Sequence, residues 1–162
     1  MVRIISSTLR QGILVLISLA GLALGQIAIV VHPDNPIESI SREELEHFYN
    51  GSLTQFPDGT TVVLVEHNPT ADRFYQILLN KSYIKVKKQW IRYVFSGRTA
   101  NPPEEISNTL KLQEFVLANR GAIAFLPYED VTINVKFLAV DGHNVSHEHY
   151  LFADTKLFTQ QP

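Results

Sequence analysis

Two short stretches of the chain carry residue types that could hold a small anion. The first is Asn68-Pro69-Thr70-Ala71-Asp72-Arg73, which follows the apolar run Val62–Val65 and the polar turn Glu66–Asn68. Phe74, Ile77 and Leu78 then recur at helical spacing. A strand that feeds a helix through a tight turn leaves backbone N–H groups without intrahelical partners. Those groups, with the positive end of the helix dipole, favour a bound anion. Asn68 or Thr70 can cap the helix, and Pro69 suits its first turn. The Thr70 hydroxyl and the forked Arg73 guanidinium are further donors. Asp72 opposes an anion in the same turn, so an ordinary capped helix is the alternative. The second stretch is Ser96-Gly97-Arg98-Thr99, where hydroxyls flank a glycine and an arginine. A guanidinium among hydroxyl donors suits an oxyanion; a polar loop with a C-capping glycine is its alternative. The candidate ligand-binding residues are therefore Asn68, Thr70, Arg73, Ser96, Gly97, Arg98 and Thr99.

Other constellations point to less. His143, His147 and His149 cluster with Glu148. Two histidines two residues apart can hold a metal from an extended segment, but no cysteine or ordered motif supports this. We assign no metal and no cofactor. Asn144-Val145-Ser146 is a glycosylation sequon, which matters only in a host that glycosylates. There is no Gly-x-Ser-x-Gly elbow, phosphate-cradling glycine loop, His-Glu-x-x-His or cysteine nucleophile. Glu43, Glu44 and Glu46 fall on the exposed side of an amphipathic helix, and Glu104 and Glu105 fall in a loop. We expect no enzyme and assign no catalytic residue.

The elements that must position these residues read clearly in several places. Gln26–His32 is a continuous apolar run, as in a strand buried on both faces of a parallel sheet. Ser41-Arg42-Glu43-Glu44 is a capping box, with Ile40 and Leu45 placed for a hydrophobic staple. Leu45, Phe48 and Tyr49 follow on one face, and Gly51 closes the helix. Tyr83–Phe95 is a further helix, with Val86, Trp90, Ile91, Val94 and Phe95 as one wide apolar stripe and its lysines as a solvated face. Ser107 starts another helix that carries Leu112, Phe115 and Val116 and ends at Gly121. Ala122–Leu126 is a strand, and Val131–Val140 holds a second apolar segment, strongest over Lys136–Val140. Alternating buried strands and amphipathic helices predict an α/β fold: a mostly parallel sheet of four or five strands with helices on both faces. Ile27–Val31 and Val62–Val65 should be neighbours in that sheet. Ligands of open α/β sheets gather at the carboxyl ends of strands, so an open mouth is expected there.

Length and composition set the outer bounds. The chain has 162 residues, 45% hydrophobic and 19% charged, which suits one ordinary domain with a core. Arg3 and Arg10, the run Gly12–Leu24 and the ending Ala23-Leu24-Gly25 predict a secretory signal cut after Gly25, with an uncleaved anchor as the alternative. The predicted organisation is a signal over 1–25, an α/β domain over 26–142, and a tail over 143–162 packed on the domain or loosely ordered. Removing the two arginines leaves 12 basic against 16 acidic residues. No basic stripe remains to suggest nucleic acid. Membrane contact is expected only through the signal segment before cleavage. The absence of cysteine excludes disulfides and a cysteine-linked lipid, so the core alone must hold the domain.

From Ile27 to about Val140 the chain resembles the phosphate-binding proteins of ABC importers, which are type II periplasmic binding proteins, and in particular their small single-lobe relatives. The matching stretches are IAIVVHPDNPIESISREELEHFYNGSLTQFPDGTTVVLVE, FYQILLNKS, QWIRYVFSGRTANPP and FVLANRGAIAFLPYEDV. The resemblance implies a binding-protein lobe, a periplasmic or otherwise exported location, a phosphate-like oxyanion and a link to ABC-type uptake. In the full-length family a Ser-Gly-Thr-Arg turn holds the phosphate. Here that turn reads Pro69-Thr70-Ala71-Asp72: Thr70 matches, the arginine position falls on or near Ala71, and the glycine is absent. Full-length relatives clamp ligand between two lobes, and this chain has room for one. Weak oxyanion binding, completed by a second copy or an envelope protein, is one expectation. The other is an interaction module built on the same lobe, with an exposed apolar patch where the second lobe would sit.

Overall fold

The computed structural model describes residues 25–153. The expected signal, Gly25 apart, and the tail from 154 onward lie outside them. In chain order the elements are β1 (Ile27–Val31), β2 (Ser39–Ile40), α1 (Arg42–Tyr49), β3 (Val63–Glu66), α2 (Asn68–Leu79), α3 (Tyr83–Phe95), β4 (Glu104–Glu105), α4 (Thr109–Ala118), β5 (Ala122–Pro127), β6 (Lys136–Phe137) and β7 (Ala139–Val140).

The two most apolar runs, β1 and β5, are buried almost throughout and pair along their whole length. They form the middle of a five-stranded sheet in the order β4-β3-β5-β1-β6. The fold is α/β, as expected, but the sheet is mixed. β3 runs parallel to β4 and β5, whereas β1 runs antiparallel to β5 and β6. β1 and β3 share the sheet without touching, because β5 lies between them. An apolar run reports burial of both faces and carries no signal for direction or neighbour.

The route β3–α2–α3–β4 steps outward, and β4–α4–β5 steps back across β3. Right-handed crossovers in opposite senses place α2 and α3 on one face and α4 on the other. The capping box of α1 forms as expected: the Ser41 hydroxyl accepts from Glu44 N at 3.1 Å, and the Glu44 carboxylate accepts from Ser41 N at 3.0 Å. Gly51 ends the helix at φ 79°, and a Cβ there would stand 2.7 Å from the Trp90 ring. Under the helices sits an aromatic core in which Phe74 stacks on Phe125 at 3.7 Å and on Phe152 at 5.1 Å. Tyr150 and Phe152 are buried, which seats the described part of the tail on the domain.

Three local expectations change. α2 is capped by His67, without a side-chain cap bond, and Asn68 is its first residue. α4 takes Asn108 as its cap in place of Ser107, through a bond from Lys111 N to the Asn108 side chain. Glu104 and Glu105 form an edge strand beside Val65 and Glu66. The pair β2–β7 has no signal in the sequence, being two residues on each side.

Candidate functional site

The carboxyl ends of β3 and β4 and the start of α2 meet where a ligand mouth was expected. The polar turn read as Glu66–Asn68 begins one residue later than its sequence suggests. Glu66 is the last residue of β3 and is only 2% exposed. Burying a carboxylate is costly unless donors surround it. Tyr75 supplies one, its hydroxyl donating to Glu66 Oε2 at 2.7 Å, and Tyr83 donates to Glu66 Oε1. Burial, with the adjacent Glu66 charge, holds both phenols above their ordinary range, so both stay protonated as donors. The Asn68 amide donates to Glu105 at 3.0 Å, and Lys87 pairs with Glu105 from α3.

Thr70 is engaged as well. His67 Nε2 lies 3.0 Å from the Ser107 carbonyl, which can only accept, so that nitrogen carries the proton. Nδ1 is then free to accept from the Thr70 hydroxyl at 3.0 Å. Desolvation lowers the His67 pKa and keeps the ring neutral. Arg73 turns toward the start of β1, where its guanidinium donates to the Gly25 carbonyl. Asn68 Oδ1 is buried without a partner and calls for a donor. The mouth is thus filled by the protein's own side chains, and two carboxylates stand where an anion would sit.

The second candidate stretch lies elsewhere. The start of α3 touches the mouth through Tyr83, and Ser96 caps the far end of that 13-residue helix. A helix of that length separates them by about 20 Å. Asn68, Thr70 and Arg73 therefore do not share a pocket with Ser96, Gly97, Arg98 and Thr99. The latter group is exposed, and Arg98 stacks over the Tyr93 ring at 4.2 Å.

The α3 stripe divides in two. Val86 and Trp90 are buried, but Ile91, Val94 and Phe95 are exposed, Phe95 to 88%. Beside them a cleft of about 240 Å³ runs between α3 and Pro102-Pro103, with Glu66, Lys87 and Glu105 at its polar end. The rings of His143 and His147 stack at 4.4 Å, with His149 close by. Among the described residues no group of acids and histidines is placed to hold a metal.

No protein-family model and no curated protein matches this sequence. Solved structures do match. One, described as a phosphate ABC transporter substrate-binding protein from Clostridium perfringens with bound phosphate, aligns with TM-score 0.60 at 20% identity, covering 75% of this chain and 47% of that one. The chain has the fold of a phosphate-binding-protein lobe. An ABC-type phosphate transport receptor from Vibrio cholerae gives 0.52 at 16% identity, covering 75% of this chain and 48% of that one. PstS from Borrelia burgdorferi gives 0.55 at 12% identity, covering 74% and 48%. The lobe thus spans about half the length of the solved structures it matches.

Sequence reasoning missed Glu66, Tyr75, Tyr83, Lys87 and Glu105 as one cluster. Tyr75 lies next to Phe74 on α2, off the expected face of Phe74, Ile77 and Leu78, and Tyr83 is the first residue of α3. The usable signal was the acid directly closing the run Val62–Val65, since a strand end beneath helices is seldom solvated.

Proposed function

We propose that this exported, non-enzymatic lobe acts by docking onto a larger surface instead of closing on a small ligand. The observation that carries this reading is the network of Glu66, Tyr75, Tyr83, Asn68, Glu105 and Lys87. It occupies the sheet end at which ligands of α/β lobes collect. A phosphate there would displace internal hydrogen bonds and face two carboxylates. The exposed side chains of α3 lie directly beside this closed end and give the lobe a surface to dock with.

Titration calorimetry and thermal shift with phosphate and sulfate at millimolar concentration test the reading. No heat and no shift are expected. A saturable heat with phosphate that Thr70→Ala or Arg98→Ala abolishes would overturn it.

The second reading is weak phosphate binding linked to ABC-type uptake. It is favoured by the solved structures of this fold, which are described as phosphate transport proteins, one with phosphate bound. Under it, a second copy or an envelope protein would supply the missing wall of the cleft, and the calorimetric signal would appear only with that partner present.

A further inference from the structure

The outer crest of α3 is built the wrong way round for a surface helix. Such a helix buries one apolar face and turns polar residues outward. At about 100° per residue, Ile84, Ile91 and Phe95 fall within about 20° of a single line. That line lies on the side of the helix away from the buried Val86. Ile84 is 67% exposed, Ile91 53% and Phe95 88%. Lys88, Arg92 and Lys85 flank the crest on one side, and Val94 and Lys87 on the other.

Charge is segregated in the same place. The whole sequence carries a net charge of −2, yet no acid occurs between Asp72 and Glu104. Lys87 is paired with Glu105, and Lys81 donates to Gln89. Lys85, Lys88 and Arg92 make no ion pair among the described residues. With Lys81 they line a shallow cationic depression along one flank of the crest.

We propose that the α3 crest docks the protein onto an anionic phospholipid surface. Ile84, Ile91, Val94 and Phe95 would enter the headgroup boundary, and Lys85, Lys88 and Arg92 would lie against lipid phosphates. This rests on the docking reading above and names the partner. It goes beyond contact through an amino-terminal signal, because it places a second, folded membrane face on the lobe itself. A ridge of apolar side chains bordered along one flank by unpaired cations suits a helix lying in a membrane interface. The stems of the flanking cations can run along the apolar layer while their charges stay in water. A second copy fits poorly, since face-to-face pairing would set Lys85, Lys88 and Arg92 against themselves. A rigid protein partner fits poorly too. The crest is about 20 Å long and about 10 Å wide, or roughly 200 Å², against the ~800 Å² per side of a stable protein interface.

The chain has no cysteine, so single labels can be placed cleanly. The chain from Gln26 onward, without the apolar segment Gly12–Leu24, is made as Phe95→Cys, carrying an environment-sensitive fluorophore, and as Glu114→Cys on the exposed side of α4 as a control. Each is mixed with phosphatidylcholine vesicles with and without phosphatidylglycerol. The Phe95 label is expected to shift to the blue and brighten several-fold with anionic vesicles only, while the Glu114 label stays unchanged. Lys85→Gln, Lys88→Gln and Arg92→Gln together, in the labelled background, should weaken partitioning by roughly a hundredfold. High salt should do the same in part. Circular dichroism confirms that each variant is folded.

No response of the Phe95 label to anionic vesicles overturns the proposal. So does an equal response with and without phosphatidylglycerol, or a response only to a purified acidic protein. Phosphate heats in calorimetry would instead count against the docking reading, leaving the vesicle result to be judged separately.

Discussion

The two sides of α3 make opposite use of the same residue types. On the mouth side, Lys87 is neutralised by Glu105, Tyr83 is spent on Glu66, and Trp90 is packed against Gly51. On the outer side, Lys85, Lys88 and Arg92 make no ion pair among the described residues, and Phe95 is almost fully exposed. A polar network with its partners inside the fold is a structural device, costly to break and closed to ligands. A charged and apolar face without partners adds nothing to the lobe's own stability. What differs is where each group finds its complement: within the chain at the mouth, outside it along the crest.

That contrast can be broken by substitution. The largest effect is expected within α3 itself. Trp90→Ala removes a side chain that is 3% exposed and should cost about 3–5 kcal/mol in urea unfolding. Glu66→Ala comes next, because it leaves the buried Tyr75 hydroxyl without an acceptor and opens a cavity; a loss of about 3 kcal/mol is expected. Glu66→Gln, which keeps an acceptor in place, should recover part of it. A loss near zero for Glu66→Ala would mean that the mouth is not closed.

His67 gives a pH test of the same region. Its folded-state pKa lies below the ordinary 6.5, so its stabilising contribution is complete above that value. It is lost as pH falls from 6.5 through the folded pKa, because only the unfolded chain takes up the proton easily. The urea midpoint should therefore fall over that range, and His67→Asn should flatten the fall. The smallest effect belongs to the crest: Phe95→Ser should change stability by no more than about 0.5 kcal/mol. A larger loss would mean that Phe95 packs within the lobe and is not available for docking.

Much of this was legible in the sequence and some was not, for definite reasons. The capping box at Ser41, the bounds of α3 and the strand over Ala122–Leu126, which runs on one residue to Pro127, could be read because each depends on neighbours in sequence. Strand order could not: nothing in Ile27–Val31 says that it pairs with Ala122–Pro127 in the opposite direction. The crest of α3 was hidden because its apolar residues form one continuous wide stripe from Val86 round to Phe95, so periodicity alone could not separate Trp90 from Ile91. Asn68 and Thr70 read as helix caps and candidate ligand residues, whereas their side-chain hydrogen bonds run to Glu105 and His67, which are distant or unremarkable in sequence.

The antiparallel seating of β1 has one more effect. It brings Ile27 beside Phe152, whose carbonyl accepts from Ile27 N at 3.4 Å. The first and last described stretches of the backbone therefore lie at adjacent points on one rim. A unit threaded in this way behaves as a cassette: spliced into the loop of a host polypeptide, it would ask that loop to open by only a few ångströms.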